Sequence, residues 1–117
     1  MMPKVSIIIP TLNSSKTIKK TIFSVINQSF KDYEIILLDS FSTDKTLKII
    51  KQFKSKKIRI FSLKKSKKLS HIRYFGILKS RGKYISFLDS DDYWHKDKLK
   101  YQYLFMEKKK ISFSSTN

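Results

Sequence analysis

The chain has 117 residues, 40% of them hydrophobic, no cysteine, and a formal net charge of +17. That length holds one domain with a real core, and the hydrophobic fraction excludes intrinsic disorder. Without cysteine there is neither a disulfide framework nor a thiolate metal site.

The first residues, Met1-Met2-Pro3-Lys4-Val5, lead straight into an apolar run and carry no cleavable signal pattern. No apolar stretch approaches the roughly 20 residues that cross a bilayer. A cytoplasmic location is the expectation. Residues 5–9 are β-branched and nearly continuous in apolar character, as in a strand buried on both faces, and Pro10 is expected to end it. Asn13, Ser14 and Ser15 are candidate caps for a helix over 16–28, where Ile18, Ile22, Val25 and Ile26 make one apolar face. A second strand, 34–38, runs into Asp39, and the turn-like residues 40–44 precede a helix that carries Leu47, Ile50 and Phe53 inward.

Residues 58–63 alternate apolar and polar as a third strand. A helix over 69–80 is expected to bury Leu69, Ile72, Phe75 and Leu78, and Arg81-Gly82 breaks it before a fourth strand at 84–88. Leu99, Tyr103 and Met106 trace one further amphipathic helix, and residues 111–113 begin another strand. Strands alternating with helices predict an α/β fold: a mostly parallel open sheet with helices on both faces. There is no internal repeat or linker. Ligands of such sheets bind beyond the carboxyl ends of the strands, which places residues 10–13, 39–44 and 89–92 on a single rim.

Charge is unevenly placed. Fifteen Lys or Arg and no Asp or Glu lie between Lys45 and Lys83. Such a stretch attracts anionic headgroups, nucleic acid or a phosphorylated substrate, but lysine is also the default surface residue of this Lys-rich sequence. Against that background Asp89, Asp91 and Asp92 stand out, three of only nine acids, just past an apolar run. Hard cations such as Mg²⁺ or Mn²⁺ prefer oxygen ligands and bridge one or two carboxylates to substrate phosphates. A solvated turn is the plain alternative.

Four segments, in order, resemble the nucleotide-sugar-binding half of a family-two glycosyltransferase. Residues 5–13, ending in Pro10-Thr11-Leu12-Asn13, resemble the opening strand and its Pro-x-x-Asn loop. Residues 33–46 resemble the second strand and its Ser-Thr-Asp turn. Ile72-Arg73-Tyr74-Phe75-Gly76 is similar to the Ala-Arg-Asn-x-Gly helix, and residues 82–92 to the strand leading into the Asp-x-Asp motif. Each is weak alone, but together they span nearly the whole chain.

The resemblance implies a GT-A type fold and transfer of a sugar from a UDP, GDP or dTDP sugar to a glycan or lipid-linked acceptor, in bacterial-type surface polysaccharide synthesis. It implies inverting chemistry with a Mg²⁺ or Mn²⁺ cofactor that neutralises the departing diphosphate. Asp91 is expected to hold the metal directly and Asp89 through water or the ribose hydroxyl, with Asp92 an outer partner or a helix-start carboxylate. Pro10, Thr11, Asn13, Asp39, Arg73, Asp89 and Ser90 are the expected donor-binding residues. Asp39 would accept from the base, although Ser40 replaces the second acid of the family's pair. Arg73 would clamp the diphosphate with its planar donor fork, the competing role being a surface cation. Tyr74 replaces the usual Asn. Tyr93 and Trp94 have two readings, packing on a sugar face or packing in the core.

The general base that takes the acceptor's proton comes, in this family, from a later segment, and is expected beyond Asn117. The 117 residues therefore read as a donor-binding domain without its acceptor half: a fragment, a truncated frame or a remnant. The alternative function is a non-catalytic nucleotide-sugar-binding or basic module in peripheral contact with an anionic membrane at its inner face; nucleic acid is a distant option, for want of any recognisable motif.

Overall fold

A computed structural model of the chain describes residues 2–64, 68–109 and, for the backbone alone, 113–115. Five strands, β1 (Val5–Thr11), β2 (Tyr33–Ser40), β3 (Ile58–Leu63), β4 (Tyr84–Phe87) and β5 (Phe113–Ser115), form one sheet in the order β3-β2-β1-β4-β5. Every pairing is parallel. The intervening helices are α1 (Ile18–Ile26), α2 (Thr46–Lys51), α3 (Leu69–Lys79) and α4 (Lys98–Lys109). The parallel sheet with helices on both faces is the architecture the alternation of elements predicts.

The continuous apolar runs of β1 and β2 are explained by burial on both sides. Val5, Ile7, Ile9, Ile35 and Leu37 join Ile18, Ile22 and Val25 of α1, Ile50 of α2, and Leu99 and Met106 of α4 in one core. Their neighbours Ile8, Ile36 and Leu38 turn the other way, with Phe87 and Ile72 of α3, in a second core. Side chains alternate between the two layers along each strand.

β1 runs two residues further than expected, through Pro10 to Thr11. The carbonyls of Lys4 and Ile8 accept from Tyr84 and Leu88 N–H (2.9 and 3.0 Å), so even-numbered residues of β1 turn their backbone groups towards β4. Pro10 shares that orientation, and pairing with β4 has already stopped at Ile8 and Phe87. Its missing N–H therefore costs no ladder bond.

The expected caps of α1 are also corrected. Thr17 is the N-cap and makes no side-chain cap hydrogen bond, because residues 13–15 are engaged with neighbouring loops instead. In α3 the buried positions are Ile72 and Gly76, whereas Leu69 and Leu78 are 49% and 64% exposed. The helix lies so close to the sheet that a Cβ on Gly76 would stand 2.8 Å from Ile8 Cγ2 and 2.9 Å from Leu38 Cδ1. That close approach at residue 76 selects the Ile72–Gly76 stripe over the Leu69–Leu78 one. The strand expected over 111–113 falls partly outside the described residues; what is described, Phe113–Ser115, pairs with β4.

The amino-terminal edge of the sheet is locked by a buried carboxylate. Glu34, 5% exposed, accepts from Ser6 Oγ and Arg81 N–H at 2.6 Å each and from Arg59 Nη1 at 2.9 Å. Burial pushes its pKa up, but these three donors outweigh that penalty and hold it below its ordinary value. Ser6 Oγ accepts in turn from Gly82 N–H (2.7 Å), so β1, β2, β3 and the entry to β4 share one polar knot.

Candidate functional site

Strand order turns back between β1 and β4: the chain builds β2 and β3 to one side of β1, then β4 and β5 to the other. Open parallel sheets bind ligands at the carboxyl side of such a switch point. There the structure has an open cleft of ≈ 780 Å³, lined by Pro10, Thr11, Leu12, Asn13, Ser14, Ser15, Lys16, Thr17, Asp44, Leu69, Ile72, Asp89, Ser90 and Asp91. Pro10, Thr11, Asn13, Asp89, Ser90 and Asp91 are thus brought together as expected. Asp39 and Arg73 stand beside the lining.

Three loops meet here because short hydroxyl and amide side chains tie them. Asn13, at a left-handed φ of 49° that Asn tolerates well, accepts on Oδ1 from Thr43 N–H (2.8 Å) and donates its own N–H to Ser42 Oγ (2.9 Å). Asp39 is 1% exposed and accepts from Thr11 Oγ1 (2.8 Å), Ser42 Oγ (2.6 Å) and Ser42 N–H (3.0 Å). It fastens the end of β1 to the loop after β2 from beneath the cleft.

The loop after β4 is held from α1. Thr17 Oγ1 donates to Ser90 O (2.8 Å), and Thr21 Oγ1 lies 2.6 Å from Asp92 O and 2.9 Å from Ser90 O. The Ser14 and Ser90 hydroxyls are hydrogen-bonded to each other at 2.7 Å. With its carbonyl and hydroxyl so occupied, residue 90 is fixed between the two aspartates.

Asp89 pairs with Arg73 at 3.4 Å, and the Arg73 guanidinium lies 5.3 Å from the centre of the Phe87 ring. Arg73 Nε is buried with no hydrogen-bond partner among the described residues. An orphaned buried donor is costly unless something accepts from it. Asp91 is exposed on the cleft lining.

Among the described residues no three His, Cys, Asp or Glu side chains converge as a complete metal cage. A divalent ion here would take carboxylate oxygens from Asp91 and Asp89 and leave its other positions to ligand oxygens and water. That donor set suits Mg²⁺ or Mn²⁺ bound together with phosphates.

Several residues of the site carried no periodic signal in the sequence. Ser14, Thr17 and Thr21 order the loops, and Lys16 and Asp44 line the cleft. Asp44 accepts from Thr46 N–H (2.9 Å) and Ser15 N–H (3.2 Å). The Thr46 hydroxyl and these N–H donors bring its carboxyl down to about 2. The Ser42-Thr43-Asp44 turn was the available cue for Asp44. Of the two aromatics after the acids, Trp94 is buried in the core, whereas Tyr93 is exposed, with Lys20 Nζ 4.1 Å from its ring centre. No described helix is long and apolar enough to cross a membrane.

Residues 6–116 match the model of Glycosyl transferase family 2. The chain is 40% identical over 116 residues to UDP-Glc:alpha-D-GlcNAc-diphosphoundecaprenol beta-1,3-glucosyltransferase WfaP of Escherichia coli, covering 99% of this chain and 46% of that protein. It is 37% identical over 116 residues to the putative teichuronic acid biosynthesis glycosyltransferase TuaG of Bacillus subtilis, with coverage of 97% and 46%. The crystal structure of S. aureus TarS 1-349 in complex with UDP-GlcNAc aligns with a TM-score of 0.82 at 31% identity, over 90% of this chain and 31% of that one. The architecture is that of the GT-A transferases, and the chain spans about half the length of the curated relatives named here. Matched almost end to end by the family's model and built on its sheet, this chain belongs to glycosyl transferase family 2.

Proposed function

We propose that residues 1–117 form the donor-binding unit of an inverting, metal-dependent glycosyltransferase that takes a nucleoside-diphosphate sugar, with a glycan or lipid-linked acceptor in surface polysaccharide synthesis. The observation that carries the reading is the convergence of Pro10, Thr11, Asn13, Asp89, Ser90 and Asp91 on one cleft at the switch point. WfaP, by its name, uses a UDP sugar and a diphosphoundecaprenol acceptor, and TarS has been crystallised with UDP-GlcNAc.

In this proposal the loop of residues 10–13 and Asp39 receive the nucleoside. Asp39, buried beneath the cleft, does so through Thr11 and Ser42, the residues it holds in place. Arg73, whose side chain is partly exposed and pairs with Asp89 at the edge of the cleft, supplies guanidinium donors to the diphosphate. Asp91, with Asp89, holds a Mg²⁺ or Mn²⁺ ion that supplies charge neutralisation to the diphosphate as leaving group. Ser90, pinned by Ser14, Thr17 and Thr21, keeps the two carboxylates at the cleft. The general base belongs to the acceptor-binding part of such an enzyme.

The net charge of +17 supports a peripheral contact with an anionic membrane, where a lipid-linked acceptor resides. The test is thermal denaturation with UDP, GDP and dTDP sugars in the presence of Mn²⁺. One class raises the Tm at concentrations well above its Kd, as binding to the folded state requires. No shift with any class contradicts the proposal.

A further inference from the structure

Helix α4 is apolar on two sides. Leu99 and Met106 are fully buried in the core against the sheet, yet Tyr101, Leu104 and Phe105 are 64%, 52% and 51% exposed. Spaced as i, i+3 and i+4, these three share one outward stripe. Packing on the sheet has no use for it, and a contiguous apolar stripe in water marks a docking surface. Its flanks name the kind of surface. Lys100, Lys108 and Lys109 are exposed on the same helix. Glu107, the only acid of α4, is drawn aside to Lys83 at 2.8 Å and to the Tyr84 hydroxyl. Asp97, just ahead of the helix, is taken up by Ser29 Oγ at 2.6 Å. Gln28 Oε1 accepts from Leu99 N–H (2.8 Å), which ties α4 to the end of α1. α1 in turn adds exposed Lys19 and Lys20 and no acid. A second copy of the chain, at the same net charge of +17, is repelled by this rim.

We infer that α4 is an interfacial helix that seats the chain on an anionic lipid bilayer. Tyr101, Leu104 and Phe105 enter the boundary between headgroups and acyl chains, while Lys100, Lys108 and Lys109 meet the lipid phosphates. The inference rests on the membrane contact proposed above and assigns it to one face. Because α4 follows the loop of Asp89 and Asp91, this seating keeps the donor cleft close to the bilayer.

Co-sedimentation of the chain with vesicles of phosphatidylcholine alone, and of equimolar phosphatidylcholine and phosphatidylglycerol, tests it. The wild type partitions onto the mixed vesicles and far less onto phosphatidylcholine. The double variant Leu104→Ser/Phe105→Ser weakens that partition about tenfold, as loss of two half-buried apolar side chains at the interface requires. Lys108→Glu weakens it about tenfold as well. Lys79→Glu makes the same charge change on α3, across the sheet, and weakens it by less than about threefold, because salt screens at that range. All these side chains are exposed, so the variants keep the wild-type Tm. If the double variant binds as the wild type does, or Lys79→Glu loses as much as Lys108→Glu, the α4 face is refuted and a diffuse membrane contact stands. If the wild type ignores the mixed vesicles, the membrane contact itself fails and the α4 face with it, while the donor site is untouched. A wild type that gel-filters as a dimer, with the double variant a monomer, also overturns the inference, because a second copy then covers the stripe.

Discussion

Replacing Glu34 by Gln removes one charge and almost no volume, so its effect isolates the polar knot at the amino-terminal edge of the sheet. Oε2 accepts from Ser6 Oγ and Arg81 N–H, and Oε1 accepts from Arg59. A glutamine has one acceptor oxygen where the carboxylate has two. Placed towards Ser6 and Arg81, it turns its NH₂ onto the Arg59 guanidinium; reversed, it opposes the Arg81 N–H. Either orientation leaves a buried donor facing a donor, and Arg59 loses its counter-charge.

Breaking a buried ion pair from one side costs about 3 kcal/mol, or roughly 12 °C in Tm for a domain of this size. The pH dependence provides a second readout. The Glu34 pKa is lowered in the folded state, so its stabilisation is fully present above the unfolded-state value. It is lost as pH falls through the lowered folded-state value. Thermal melts followed by circular dichroism from neutral pH into that acid range should therefore show a steep loss in the wild type and a shallower one in Glu34→Gln. A variant within about 0.5 kcal/mol of wild type, the range of an ordinary surface change, with the same acid profile, would show that the Glu34 charge adds no net stability.

Gly82→Ala places a Cβ 2.6 Å from Ser6 N and 2.8 Å from Val5 C, both backbone atoms of β1. Overpacking of this kind costs about 3 kcal/mol, and urea unfolding should show the midpoint falling with the slope unchanged. Asp44 carries a carboxyl brought down to about 2. Its hydrogen bonds to Thr46 and Ser15 persist as pH falls below the ordinary carboxylate range and are lost on approach to 2. Amide exchange at Ser15 and Thr46, measured between about pH 4 and 2, should accelerate only at the acid end, and Asp44→Ala should show the fast exchange throughout.

The sheet was legible because burial on both faces writes itself as nearly continuous apolar runs, as in residues 5–9 and 34–38. The rim was legible because Asp89, Asp91 and Asp92 interrupt a long acid-free stretch. The buried stripe of α3 was not, since Leu69 and Leu78 continue the apolar spacing yet stay exposed, and Gly76 makes the close approach. Hydropathy cannot reveal a residue that is buried for its lack of a side chain. Nor could it show the roles of Ser14, Thr17 and Thr21, whose hydroxyls act across 69 or more residues of sequence. Pro10 misled for a related reason: whether its missing donor matters depends on where β4 stops, which only the sheet register decides.

If Asp91, with Asp89, grips a cation that joins the chain to a nucleotide diphosphate, metal and nucleotide bind together. Calorimetric titration with UDP, with and without saturating Mn²⁺, in the wild type and in Asp91→Ala measures that coupling. The expected result is a wild-type Kd about tenfold tighter with metal, a gain of ~1.4 kcal/mol, and no metal effect in Asp91→Ala. An equal gain from Mn²⁺ in both proteins, or none in the wild type, would contradict it.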